Sequence, residues 1–187
     1  MARPLDTRKR AALLADVTDY LARHGIAGLS LRPLAAELGT SSRMLVYYFA
    51  TKENLLSQAL EASRPEISEL FADITSGEDL QRVLLSLWED ITSGGQRRSA
   101  PLMLQVMALA VVPDSAYTEF AAREVTSWVD PLAEALMRCG QRPEAARARA
   151  TALVSGTRGL LLDRLVTHDH QRTDAAVKSL ITALLAP

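Results

Sequence analysis

The chain has 187 residues, of which 48% are hydrophobic and 23% charged, with a formal net charge of −1. That balance suits a globular protein with a substantial core and excludes a disordered or collagen-like chain. A lone cysteine, Cys139, excludes an internal disulfide framework and fits a reducing compartment.

The small net charge conceals an asymmetry. Residues 1–52 carry eight Lys or Arg against four acids, whereas the remainder carries thirteen against eighteen. A basic head on an acidic body suits a polyanion bound at one end. The first ten residues are polar and basic with no apolar run behind them, so no signal peptide is expected. The longest apolar stretch, Leu102 to Val112, is interrupted by Gln105 and is too short to cross a bilayer. A cytoplasmic protein without membrane contact is expected.

Almost every segment reads as helix, and no alternating β-branched run is long enough for a strand. The first helix is expected over Thr7–Arg23, with Leu14, Val17 and Leu21 as its core stripe and Gly25 stopping it. Ser30 caps a short second helix that tolerates Pro33 in its first turn and ends at Gly39. Ser41 caps a third, reaching Tyr48 or Phe49. Thr51 caps a fourth that runs towards Ile74 and kinks at Pro65. Further helices are expected at 78–92, 100–111, 114–138, 143–166 and 173–185, with a bend or break at Pro131. The fold class is therefore all-α: an N-terminal three-helix unit over 1–55, then a helical body over 56–187.

Two short helices joined by Gly39-Thr40-Ser41 make a helix-turn-helix. Such a stub can push one helix into a major groove about 12 Å wide. At 100° per residue, Ser42, Arg43, Val46 and Tyr47 share the outward face of the third helix, with Leu45 and Tyr48 opposite. Periodicity alone leaves a plain helical hairpin open as the alternative.

The run from Gly28 to Leu55, GLSLRPLAAELGTSSRMLVYYFATKENL, resembles the signature of the TetR/AcrR family of transcriptional regulators. Cap, turn glycine, recognition helix and the Lys52-Glu53 start of the next helix recur together in register. The resemblance covers about residues 10–60 and implies a dimeric regulator that binds double-stranded operator DNA. Among Arg32, Ser41, Ser42, Arg43, Met44, Val46, Tyr47, Tyr48 and Lys52, it places Ser42, Arg43 and Tyr47 against bases. It places Met44, Val46 and Tyr48 near the backbone and Lys52 by a phosphate. Val46 stands where the family usually has tyrosine, and Tyr48 where it usually has histidine, so the Tyr48 hydroxyl is a candidate for the missing phosphate bond. Arg43 either forks onto a guanine edge or lies along a phosphate.

In the body, small residues on the 143–166 helix and the Val177, Leu180, Ile181, Leu184 stripe suit a four-helix bundle between two copies. The resemblance implies the same homodimer; packing inside one subunit is the alternative. Trp88, Met103, Met107, Tyr117, Phe120 and Trp128 are candidates to line a pocket for a small, mostly apolar effector, with Arg158 its polar candidate. No Walker loop, GxGxxG, GxSxG or HExxH is present, so no enzyme activity, cofactor or metal is expected. His168-Asp169-His170 reads as an exposed loop. A helical protein-binding adaptor and a cofactor-free helical enzyme are the alternatives.

Overall fold

Capping residues, glycines and prolines divide the chain at nearly the places where its apolar periodicity breaks. The computed structural model describes residues 6–26, 28–62 and 66–186. Among the described residues ten α-helices follow one another: α1 (Thr7–His24), α2 (Leu31–Glu37), α3 (Ser42–Phe49), α4 (Lys52–Ala62), α5 (Ile67–Phe71), α6 (Gly77–Thr92), α7 (Ala100–Ala110), α8 (Thr118–Arg138), α9 (Pro143–Thr167) and α10 (His170–Leu185). A single 3-10 turn, Gly95–Arg97, precedes α7, and no strand occurs among the described residues.

Four departures from the sequence expectation have local causes. The fourth helix stops at Ala62 instead of running towards Ile74: Glu66 is extended (φ −71°, ψ 93°) and leads into the separate α5. The kink expected at Pro65 lies outside the described residues. Helix α8 starts at Thr118 rather than 114, because Asp114 adopts φ +56° and the chain turns there. It then continues unbroken through Pro131. Proline removes one ladder hydrogen bond, but Val129, Leu132 and Ala133 on either side of it are buried in the body core.

The fourth departure is at 167–171, where a loop was expected. His168 is a left-handed cap (φ 58°, ψ 15°) whose N–H donates to the Arg164 carbonyl, and Asp169 accepts from the Arg172 N–H to start α10. The reversal between α9 and α10 thus takes two residues. Arg172 ties it with two bonds to Asp163, at 2.7 and 2.8 Å, and one to Asp169 at 3.2 Å. That fork holds the Asp163 carboxyl below its ordinary range.

Two cores form. The body core joins Phe71 of α5, Leu80 and Trp88 of α6, Leu132 and Leu136 of α8, Leu153 of α9, and Val177 and Ile181 of α10. Helices α9 and α10 approach so closely that a Cβ on Gly156 would meet Leu180 Cδ2 at 2.6 Å. The head core joins Val17 and Leu21 of α1, Leu34 of α2, Leu45 and Phe49 of α3, and Leu55, Leu56 and Leu60 of α4. It does not end with the head. Leu102 and Val106 of α7, with Tyr117 and Phe120 at the start of α8, complete the same cluster.

Candidate nucleic-acid interface and ligand cavity

The turn between α2 and α3 is built from its own backbone. Gly39, at φ +61°, donates to the Ala36 carbonyl at 3.2 Å, and Thr40 N–H donates to the Ala35 carbonyl at 2.9 Å. This pair of bonds is the Schellman arrangement, which favours glycine at the left-handed position. Ser41 then caps α3 by accepting from the Met44 N–H at 3.2 Å. Ser42 Oγ donates back to the Leu31 carbonyl at 3.2 Å. The Ser42 hydroxyl therefore ties α3 to the start of α2, while Ser41 holds the first turn of α3.

Leu45, Tyr48 and Phe49 are buried, so the opposite side of α3 is presented outward. Val46 is 45% and Tyr47 51% exposed, and Arg43 stands beside them on the surface. Exposed apolar and aromatic side chains keep apolar surface in water, and a partner that covers them removes it favourably. The Tyr47 ring meets Tyr48 edge-on at 5.1 Å, which limits its freedom.

Of the residues singled out from the sequence, Arg32, Ser41, Arg43, Val46 and Tyr47 are exposed, while Ser42, Met44 and Lys52 are half-buried. Tyr48 belongs to the core, so its ring is part of the packing that supports the outward face. Lys52 lies on the first turn of α4, 3.8 Å from Glu53. Thr51 caps that turn by accepting from the Asn54 N–H at 3.0 Å, and Asn54 Nδ2 donates to the Phe49 carbonyl at 2.8 Å. Asn54 thus ties α4 to the end of α3.

Four of the head's arginines fall into two groups. Arg10 donates to Gln58 and lies over the Phe49 ring at 5.2 Å, and Arg23 pairs with Glu37 at 2.7 Å. These two brace the head. Arg32 and Arg43 are exposed and make no ion pair among the described residues.

The body contains a cavity of about 160 Å³ between α4, α6, α7, α8 and α9. Of the candidates named from the sequence, Trp88, Met103, Trp128 and Arg158 line it. Met107, Tyr117 and Phe120 do not: Tyr117 and Phe120 sit in the core shared by head and body. The Tyr117 phenol is raised above its ordinary range by that burial.

The sequence reading missed Glu124, whose side chain is only 4% exposed. Trp128 Nε1, one helical turn on, donates to Glu124 Oε1 at 2.9 Å. Arg158 Nη2 stands 3.9 Å from the same oxygen and 3.4 Å from the Glu124 carbonyl. The spacing of four residues between a Glu and a Trp on an amphipathic helix was the available signal. Burial lowers the Arg158 pKa from its ordinary value, and Glu124 opposes that shift.

Helix α7 touches both regions. Ser99, Ala100, Met103 and Leu104 face the cavity. Leu102 and Val106 enter the head core, and Gln105 Oε1 accepts from the Ile26 N–H at 3.1 Å. Leu60 of α4 belongs to both. Among the described residues no three His, Cys, Asp or Glu side chains gather as a metal site, and no helix is long and apolar enough to cross a membrane.

Residues 18–59 match the family model described as bacterial regulatory proteins of the tetR family. No curated protein matches the chain in sequence. Among solved structures, a transcriptional regulator from Rhodococcus sp. Rha1 is 23% identical with a TM-score of 0.73, covering 94% of this chain and 95% of that one. A regulator from Saccharomonospora viridis, solved with choline, is 19% identical with a TM-score of 0.74, covering 96% of each chain. The multidrug binding protein EbrR, solved with proflavin, is 26% identical with a TM-score of 0.59, covering 91% and 98%. Residues 18–59, with the capped helix α3 inside them, are thus similar to the bacterial regulatory proteins of the tetR family.

Proposed function

We propose that the chain is a transcriptional repressor that binds a near-palindromic operator as a homodimer and is released by a small, mostly apolar molecule. The observation that carries this reading is the outward face of α3, where Arg43, Val46 and Tyr47 stand exposed on a helix fixed at both ends. In this reading Arg43 and Tyr47 reach base edges, Val46 and Met44 pack near the sugar–phosphate backbone, and Lys52 meets a phosphate. Ser41 and Ser42 act through the turn they hold, and Arg32 supplies a phosphate contact.

The dimer reading is supported by α9. Leu162 and Val166, one turn apart, are 53% and 70% exposed, and nothing stands within 4 Å of a Cβ built on Gly159. An apolar helix face left uncovered in one copy is satisfied by its symmetry mate. Half-sites are then one helical turn, about 34–36 Å, or a multiple apart. The effector reading is supported by the largely apolar cavity and by the small organic molecules, choline and proflavin, held by two of the similar structures. The protein acts in the cytoplasm, where its DNA lies.

Selection of bound duplexes from a random pool, followed by anisotropy titration, tests the proposal. A two-fold-related consensus is expected. Absence of any sequence preference at low salt overturns it.

A further inference from the structure

Three charged side chains line the cavity, Asp90, Glu124 and Arg158, and they are not equally available; Asp90 Oδ1 already accepts from the Gly95 N–H at 2.7 Å. Glu124 is 4% exposed, with one carboxylate oxygen accepting from Trp128 and facing Arg158. Arg158 is 20% exposed, and Nη2 is the guanidinium nitrogen turned to Glu124. A guanidinium has five N–H donors and no acceptor. A molecule entering the cavity therefore meets hydrogen-bond donors at Arg158 more readily than the carboxylate behind it.

Charge decides what kind of acceptor suits that position. A ligand carboxylate placed on Arg158 would also lie beside the Glu124 carboxylate, and two like charges in a poorly solvated site repel strongly. A ligand cation set at Arg158 would confront that guanidinium itself, and the Asp90 carboxylate elsewhere on the wall is already engaged by the Gly95 N–H. An uncharged acceptor meets neither penalty, and a hydrogen bond from a charged donor is among the stronger ones available. Most of the remaining wall, including Leu84, Leu87, Met103 and Leu153, is apolar, with Asp90, Gln96, Ser99 and Thr157 as its polar members. A space of about 160 Å³ is comparable to cavities that accept a single aromatic ring.

Taking the cavity as the effector site proposed above, we infer that its ligand is an uncharged molecule with an apolar single-ring body and a carbonyl-class acceptor that Arg158 holds. Neither plain hydrocarbon nor an organic cation is the class that this site selects.

The test is calorimetric titration of the full chain with four probes of one shape. These are benzylacetone (a ketone), butylbenzene (a hydrocarbon), hydrocinnamate (a carboxylate) and phenethyltrimethylammonium (a cation). Benzylacetone is expected to bind about tenfold or more tighter than the other three, the range for a hydrogen bond to a charged group. In the double variant Arg158→Met with Glu124→Gln, which leaves no lone buried charge, ketone and hydrocarbon should agree within about threefold. Should that variant not fold, the probe series on the unaltered chain still decides. Equal binding of all four, or tighter binding of the carboxylate or the cation, overturns the inference and leaves the cavity as an effector site. Binding of none overturns the cavity reading and the inference with it.

Discussion

Gln105 is the clearest place to perturb the join between head and body. Its Oε1 accepts from the Ile26 N–H at 3.1 Å, just past the end of α1, and Ile26 is buried. Replacing it by leucine keeps the volume but removes the acceptor, so a buried donor loses its partner. The cost of an unsatisfied buried donor is about 1–3 kcal/mol. At about 1.4 kcal/mol per decade, the Ile26 amide should exchange with solvent about five- to 150-fold faster. Gln105→Glu retains an acceptor at a half-buried position and should keep the amide protected. Hydrogen exchange resolved at Ile26, with denaturant unfolding of the same variants, provides both readouts. Unchanged exchange at Ile26 in Gln105→Leu would refute the idea that α7 holds the head through this bond.

Four further outcomes are expected. Arg43→Ala should weaken selected DNA by about 1–3 kcal/mol and relax the preference at one position if it reads a base; uniform weakening in anisotropy titrations marks a phosphate contact instead. Lys52→Ala should weaken all duplexes alike and flatten the salt dependence by about one unit of slope per subunit, whereas an unchanged slope places its ammonium in bulk water. Val166→Glu, at a site 70% exposed, should yield monomers in light scattering while changing subunit stability by less than about 0.5 kcal/mol; a persistent dimer removes α9 from the interface. Asp163 is held below its ordinary pKa by Arg172, so its contribution is complete at neutral pH and is lost as pH falls through the lowered value. The melting-temperature gap between the parent and Asp163→Asn should then close on acidification, and a pH-independent gap contradicts the fork at the α9–α10 reversal.

The recognition helix was legible because its signals are local. Ser41, Leu45 and Tyr48 lie within one cap and two turns, so period alone assigns the outward side to Arg43, Val46 and Tyr47. It could not show that the Ser42 hydroxyl bonds back to Leu31, eleven residues earlier. The cavity was half legible for a related reason. Helix α7 is apolar around most of its circumference, so residue type marks Met103 and Met107 alike, and only tertiary packing separates them. Tyr117 and Phe120 have the chemistry of pocket-lining residues but lie at the end of α8 that meets the head. At 168–169 the polar triplet suggested a loop, whereas a left-handed His168 and an Asp169 cap compress the reversal into two residues.

The core that runs from α1 through α4 into Leu102, Val106, Tyr117 and Phe120 limits how freely this protein can be recombined. A fragment cut after α4 would leave Val17, Leu34, Leu56 and their neighbours without the side chains that complete their packing. It would gain exposed apolar surface where the intact chain has none. The same holds for a chimera in which a foreign head is spliced onto this body. Matching the recognition helix to a new operator is insufficient unless the incoming head also offers an acceptable face to α7 and a backbone N–H for Gln105. On the proposed reading, exchange of DNA specificity in this scaffold is therefore easier by substitutions on α3, where Arg43, Val46 and Tyr47 are exposed, than by transplanting the head as a block.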